Sequence, residues 1–390
     1  MRPIYLDYNA TTPVAPEAVE AMLPYLREHF GNPSSAHGYG AAARDAVAAA
    51  RRAVADLLGA DPGAILFTSS GTESNNLAIE GLARASRDGR NHLVTSAIEH
   101  PAVVEVFRWL ATLGMRVSTL PVDEHGRVRP EDLEREIGPD TLLVSVMHAN
   151  NEVGTIQPIA ELAAIAHLHG ALLHTDAAQS VGKIPVAVDL LGVDLLTVAG
   201  HKIYAPKGIG ALYVRPGVRL APVLHGAAHE NGTRPGTEAV AQIVALAEAG
   251  RIAARSLASE TSRLRSLRDR LEERLRKELG RGAMRTNGHP EHRLPNTASV
   301  SFRGVRADAL LAAVSARVAA SAGSACHAHD VRLSPVLRAM GIAPEWGMGT
   351  VRLSVGRYTT EAEVDEAVGI IAAAVRAHAP ASAVAAPGPT

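Results

Sequence analysis

Cysteine and aromatic residues are scarce in this sequence, and each shortage excludes a class of protein. Cys326 is the single cysteine among 390 residues, so the chain forms no internal disulfide and no zinc site built from four cysteines. Aromatic residues make up 3% of the chain, which argues against a platform on which nucleic-acid bases stack. The formal net charge is -1, so we expect no direct nucleic-acid partner.

Long hydrophobic runs are also missing. No segment reaches the roughly 18 apolar residues of a membrane span, and the N-terminus lacks the apolar region of a secretory signal. We therefore expect a cytoplasmic protein without membrane association, in which a free thiol stays reduced. The composition is 47% apolar, enough for a hydrophobic core, and the length indicates two domains at roughly 100–200 residues each.

Short apolar segments alternate with amphipathic helical patterns in the first half of the chain. The predicted strands are residues 64–68, 92–96, 141–147, 171–175 and 194–198, and the predicted helices are residues 40–58, 73–85, 101–113 and 159–169. This alternation is typical of an α/β fold with a mainly parallel sheet. In such a sheet the functional loops follow the carboxyl ends of the strands.

After Gly236 the pattern predicts a smaller α+β domain. We expect a helix at residues 237–279, a connector at 281–290, strands at 297–302 and 350–354, and a helix at 308–316. We predict a large domain at residues 13–260, a small domain formed by residues 1–12 and 261–377, and a disordered Ala/Pro-rich tail at 378–390.

Three segments at predicted strand ends fit the parts of pyridoxal phosphate. Gly71 and Thr72 open a helix, where backbone N–H groups favour a phosphate. Asp176 ends a strand, where a buried carboxylate needs a cation such as a protonated ring nitrogen. Lys202 follows another strand, where burial lowers the pKa of an amine and makes it a nucleophile that can form a Schiff base. A helix cap, an N-cap aspartate and a surface lysine are the ordinary interpretations, but together the three favour the cofactor.

Two further strand-end residues have two interpretations each. His100 could stack on the cofactor ring, or it could cap a helix. Asn151 could donate a hydrogen bond to the phenolic oxygen of the cofactor, or it could be a turn residue.

The second half of the chain carries two more candidate residues. Cys326 lies in a Gly/Ser-rich segment beside His327, which suits a reactive thiol better than a structural one. A metal site with His329 and Asp330 is disfavoured, because adjacent residues rarely converge on one ion. Arg352 shares a strand face with Ser354 and is suited to bind a substrate carboxylate or to form a structural ion pair.

Taken together, the motifs resemble the cysteine desulfurase family (NifS/IscS type) of class V pyridoxal-phosphate enzymes. The resemblance covers nearly the whole chain and rests on YLDYNATTP, GNPSS, GTESNN, NNEVGTIQPI, HTDAAQ, GHKIYAPKGIGALY, RPGTE, SAGSACH and VRLSVGRYTTEAEVD. It implies fold type I with a seven-stranded type of sheet, and a homodimer whose active sites lie near the subunit interface.

The resemblance also implies an activity, which is the removal of sulfur from L-cysteine to give L-alanine and a persulfide on Cys326 for an unidentified acceptor protein. Lys202 and His100 would move protons. The implied cofactor contacts are Gly71, Thr72, His100, Asn151, Asp176, Gln179, His201, Lys202 and Thr237, with Thr237 reaching the cofactor phosphate of the partner subunit. The implied substrate contacts are Asn9, Asn32 and Arg352.

The sequence departs from the family pattern in places, and more than one function fits it. Ala199 stands where the family often has serine, and Ala227 and Ala228 stand where it has glycine, which changes the conformations open to that loop. The residues that follow Cys326 resemble those of selenocysteine lyases, so selenocysteine is an alternative substrate. A class V aminotransferase or epimerase without a persulfide step is a second possible function, and a metal- or sulfur-carrier protein is a third.

Overall fold

The computed structural model describes residues 2–280, 282–322 and 333–379. The helices are α1 (Pro16–Arg27), α2 (Gly38–Leu58), α3 (Gly71–Ala85), α4 (Pro101–Thr112), α5 (Pro130–Glu136), α6 (Ile159–Leu168), α7 (Val188–Leu191), α8 (Val240–Leu279), α9 (Ala307–Val314), α10 (Pro335–Ala339), α11 (Pro344–Gly347) and α12 (Glu361–His378). The strands are β1 (Ile4–Tyr5), β2 (Ile65–Thr68), β3 (His92–Ser96), β4 (Arg116–Leu120), β5 (Thr141–Ser145), β6 (Leu172–Asp176), β7 (Leu195–Ala199), β8 (Gly210–Val214), β9 (Met284–Asn287), β10 (Thr297–Phe302), β11 (Val318–Ala319) and β12 (Thr350–Ser354).

A seven-stranded sheet within the described residues confirms the predicted α/β class. Its order is β2-β8-β7-β6-β5-β3-β4, and β8 runs opposite to the other strands. β2, β3, β5, β6 and β7 therefore end at the same edge of the sheet. β3, β5 and β7 are buried along their whole length, which explains why apolar residues fill the middle of each segment in the sequence.

A second, smaller set of strands holds the two ends of the described chain together. The antiparallel sheet β12-β10-β9 lies beside the parallel pair β1-β11. Asp7 forms a bridge with Ser354 at the end of β12. The segment after β1 is thereby placed next to the strand that carries Arg352.

Helix α8 contributes to two large hydrophobic cores. Its first half, from Val240 to Ala249, packs against the large sheet, whereas Leu264 to Leu279 pack with the second sheet and α12. The predicted domain boundary at residue 260 falls between these stretches. The domain division stays a prediction, which the two separate cores support.

The structure corrects several boundaries. The predicted connector at 281–290 contains β9, whose partly exposed MRTN sequence has no apolar run. The sequence pattern does not predict β4, which is partly exposed, or β8. α12 extends through His378, so the predicted tail begins too early, and residues 380–390 lie outside the described part. Among the described residues, no helix is long and apolar enough to cross a membrane.

Candidate active site

The carboxyl edge of the large sheet brings together four of the predicted residues. Thr72 follows β2, His100 follows β3, Asp176 ends β6 and Lys202 follows β7. A cavity of about 420 Å³ opens beside Thr72 and His100, between α3 and α4. This edge is therefore the candidate active site.

The N-terminus of α3 meets the end of β7 because residue 71 is glycine. A Cβ atom placed on Gly71 would lie 3.1 Å from the Cβ of Ala199. Ser70 caps the helix, and its side chain accepts a hydrogen bond from the Glu73 backbone N–H at 3.1 Å. The first turn of α3 therefore presents backbone N–H groups, together with the positive end of the helix dipole, at the sheet edge.

Asp176 is a buried carboxylate with a partner on each oxygen. Its Oδ2 accepts from Asn75 Nδ2 at 2.8 Å, and its Oδ1 accepts from the Ala178 backbone N–H at 2.9 Å. The sequence reasoning missed Asn75, although it stands one helical turn after Thr72. The Oδ1 atom of Asn75 and Nδ1 of His148 are buried without a hydrogen-bond partner among the described residues.

Lys202 ends a single 3₁₀ turn that follows β7. Its Nζ donates to the backbone carbonyls of Asn9 and Ala10, the latter at 2.8 Å. Burial, together with the positive charge of Arg352, lowers the pKa of Lys202 to about 8, against the opposing charges of Asp176 and Asp7. An amine with this pKa is partly neutral near pH 7 and is available as a nucleophile or base.

His100 combines both of its predicted interpretations. It is the N-cap of α4, and its Nδ1 accepts from the Ala102 backbone N–H at 3.1 Å. The same ring lines the cavity. Burial lowers the pKa of His100, and the charge of Lys202 adds to this effect while that of Asp176 opposes it. The imidazole is therefore held in its neutral form.

Asn9 is a buried hub of hydrogen bonds. Its Nδ2 donates to Thr297 Oγ1 at 2.8 Å, and its Oδ1 accepts from Asn296 Nδ2 at 3.0 Å. Its backbone carbonyl accepts from Gln179 Nε2 at 3.0 Å and from Lys202. Asn9 thus links the second sheet to the functional edge of the first, and its predicted contact with substrate stays a prediction.

Arg352 forms the structural ion pair that was one of its two predicted roles. Its Nη2 donates to Asp7 Oδ1 at 2.7 Å, and its Nη1 donates to the Asn151 carbonyl at 3.0 Å. Its Nε is buried and has no partner among the described residues. Asp7 also accepts from Ser321 Oγ at 2.8 Å. The guanidinium is therefore fixed in orientation, and its Nε–H has no partner among the described residues.

Three further predicted site residues, His201, Asn32 and Thr237, differ in how far they are exposed to solvent. His201 contacts Thr11 Oγ1 through Nδ1 at 3.1 Å, and burial, with the charge of Lys202, lowers its pKa to about 4. Asn32 is exposed, and its Oδ1 accepts from the Ser34 backbone N–H at 2.9 Å. Thr237 is also exposed. The contacts that the resemblance implied for Asn32 and Thr237 stay predictions.

Ala227 and Ala228, which stand where the family pattern has glycine, do not adopt a backbone conformation that requires glycine. In the described part of the chain, the non-glycine residues with positive φ are Tyr204, Glu230 and Asn231, so neither Ala227 nor Ala228 is strained. Cys326, with the rest of residues 323–332, lies outside the described part.

The chain belongs to the aminotransferase class-V family, whose model matches residues 4–367. A "Cysteine desulfurase IscS" of Methanosarcina thermophila is 46% identical over 369 residues, which cover 94% of this chain and 91% of that protein. A solved NifS-like protein has a TM-score of 0.90 and 38% identity, covering 96% of this chain and 100% of its own. The structure of SspA in complex with cysteine has a TM-score of 0.80 and 36% identity, with 92% and 100% coverage.

Members of this family depend on pyridoxal phosphate, and the donor set at the sheet edge fits that group. An anionic phosphate suits the first turn of α3, and a basic ring nitrogen suits the buried carboxylate of Asp176. The Lys202 amine suits an aldehyde carbon. The unpartnered Asn75 Oδ1 and His148 Nδ1 are further polar atoms with capacity for a ligand or water.

Proposed function

We propose that this chain is a pyridoxal-phosphate-dependent cysteine desulfurase that removes sulfur from L-cysteine and gives L-alanine. The observation that carries the proposal is the partly buried Lys202 amine, with a pKa of about 8, at the same sheet edge as Asp176 and the N-terminus of α3. The cysteine desulfurase names of relatives across 94% of the chain support it.

The cofactor would be held by residues from several strand ends. The N–H groups of Gly71 and Thr72, together with His201, would bind the phosphate. Asp176 would pair with the ring nitrogen, and His100 would cover one ring face. Gln179 and Asn151 would donate to the phenolic oxygen. When bound, the cofactor supplies an electron sink that stabilises negative charge at the substrate Cα.

The chain's own groups would move the protons and the sulfur. The Lys202 amine would take the Cα proton, because its lowered pKa keeps a fraction neutral at physiological pH. His100, neutral and beside the cavity, would exchange a proton on the other face. The Cys326 thiolate would attack the substrate sulfur, and the carbon–sulfur bond would break with its electron pair left on the three-carbon fragment, which would take up a proton and leave as L-alanine. The Cys326 persulfide would then carry the sulfur to an acceptor protein.

Arg352 would bind the carboxylate of L-cysteine, with Asn9 and Asn32 as further substrate contacts. Its orientation, fixed by Asp7 and the Asn151 carbonyl, and its free Nε support this role. The cysteine bound to SspA, a structural relative, supports L-cysteine as the substrate.

A homodimer is part of the proposal, with Thr237 reaching the cofactor phosphate of the partner subunit. Phe30 and Tyr39 are 72% and 61% exposed, and their rings stack 5.5 Å apart. Exposed apolar surface of this kind is typical of an interface. The cytoplasmic location stays a prediction.

Replacement of the two neighbouring lysines tests the proposal. Lys202→Ala should lose the visible absorbance of the bound cofactor and all turnover of L-cysteine. Lys207→Ala is the matched control, because Lys207 is exposed on the same loop, and it should keep both. Loss of the absorbance in Lys207→Ala and its retention in Lys202→Ala would contradict the proposal.

A further inference from the structure

A buried lysine, Lys183, lies beside the candidate active site and has no role in the function proposed above. It is 7% exposed although its side chain ends in an amine. A buried amine is costly unless acceptors surround it, and Lys183 has two. Its Nζ donates to the backbone carbonyl of Gln179 at 3.0 Å and to Gln179 Oε1 at 2.9 Å.

The turn after β6 directs Lys183 back toward the site. Gly182 has a φ of +74°, and a Cβ atom placed there would lie 3.1 Å from Ile203 Cγ2 and 3.2 Å from Ala253 Cβ. A side chain at this position would be both strained and crowded. The Lys183 backbone N–H donates to the Ser180 carbonyl at 3.0 Å. The chain thus reverses between Gln179 and Lys183 and brings the amine onto the glutamine side chain.

The contact with Lys183 fixes which end of the Gln179 amide faces which partner. An amide side chain has one end that accepts and one that donates, and its partners decide the orientation. Because Lys183 Nζ donates to Gln179 Oε1, the accepting end of the amide faces the lysine. Nε2 then points the other way and donates to the Asn9 carbonyl at 3.0 Å, the same oxygen that accepts from Lys202 Nζ.

Among the described residues, the charges that shift the pKa of Lys183 are those of Lys202 and Arg352, both positive. Since neither of these cations accepts a hydrogen bond, Gln179 is the acceptor that these surroundings offer the amine. Lys183, Gln179, Asn9 and Lys202 therefore form one continuous hydrogen-bonded chain that ends at the candidate nucleophile.

We propose that Lys183 is a positioning residue that fixes the amide of Gln179, with its N–H end toward the cofactor side of the site. The inference rests on the proposed function, because it concerns the residue that would donate to the phenolic oxygen of the cofactor. It assigns to Lys183 no contact with substrate or cofactor.

A double-mutant cycle tests this role. The cycle uses Lys183→Met, Gln179→Leu and the double variant, with the exposed Lys277→Met as control. The affinity of each apoenzyme for pyridoxal phosphate and the position of the visible absorbance band are measured. Each single variant should lose about threefold to tenfold in affinity, the range for one neutral hydrogen bond, and both should shift the band in the same direction. Lys277→Met should change neither.

The double variant decides the question. If Lys183 acts through Gln179, the double variant should match Gln179→Leu alone in affinity and spectrum. Additive losses of affinity in the double variant, or a Lys183→Met protein with unchanged affinity and spectrum, would overturn the inference and leave the proposed function standing. Failure of the unmodified chain to take up the cofactor would overturn the proposed function and the inference with it. If Lys183→Met does not fold, Lys183→Leu takes its place with the same expected outcomes, because leucine also lacks a hydrogen-bond donor.

Discussion

The pH dependence of cofactor uptake should depend on the charges around Lys202. With a pKa of about 8, about 9% of the amine is neutral at pH 7, against about 0.03% for an ordinary lysine with a pKa of about 10.5, a difference of about 300-fold. Arg352→Gln removes a positive charge that lowers this pKa, so the pKa should rise, and each unit of rise costs about tenfold in the neutral fraction at pH 7.

The assay is the second-order rate constant for uptake of pyridoxal phosphate by the apoenzyme between pH 6 and 10. The unmodified chain should show a rise with a midpoint near pH 8. The midpoint should move up in Arg352→Gln and down in Asp7→Asn, because the charge of Asp7 raises the pKa of Lys202. Arg303→Gln is the control, since Arg303 is exposed. Midpoints that move the same way in Arg352→Gln and Asp7→Asn would refute the electrostatic reasoning.

Three further changes have defined outcomes. Asp176→Asn should keep the fold by circular dichroism and lose at least about tenfold in turnover, because an amide does not hold a ring nitrogen protonated; wild-type turnover would remove Asp176 from the mechanism. Gly71→Ala should lower the free energy of unfolding by about 1 kcal/mol through crowding against Ala199, as read from urea unfolding. Adding Ala199→Gly should restore that free energy. If the double variant is no more stable than Gly71→Ala, the strain lies elsewhere. Burial lowers the pKa of Lys183 to about 7, so the unfolded chain binds more protons than the folded chain between pH 7 and 9, and the free energy of unfolding should rise with pH in this range. Lys183→Met should flatten this slope, as read from urea unfolding. An unchanged slope would show that Lys183 does not titrate in this range.

The parts of the site that lie at strand ends could be predicted from the sequence. β6 and β7 are buried, so they appear as apolar runs, and parallel strands end at one edge of a sheet. That reasoning located Asp176 and Lys202 without knowledge of any contact. The partly exposed β4 and the polar β9 lack such a run, so their strands were missed.

The contacts that join distant segments could not be predicted. Arg352 and Asp7 stand at opposite ends of the chain, and nothing in the local pattern around either residue indicates their ion pair. Asn75 contacts Asp176 from the helix that opens at Gly71, and its spacing of one helical turn from Thr72 was the one local indication. Lys183 looked like any lysine in a turn, because its burial depends on the packing of Gly182 against Ile203.

The central claim is that sulfur passes from L-cysteine to Cys326. The most direct measurement mixes L-cysteine with the cofactor-loaded chain and with Cys326→Ser, and follows alanine release together with the mass of the peptide that contains residue 326. The account predicts that the unmodified chain releases alanine and gains one sulfur atom on Cys326. Cys326→Ser should bind the cofactor normally and form no persulfide, because serine does not accept sulfane sulfur. Full alanine production from L-cysteine by Cys326→Ser would contradict the account, and turnover of selenocysteine alone by the unmodified chain would replace it with a selenocysteine lyase.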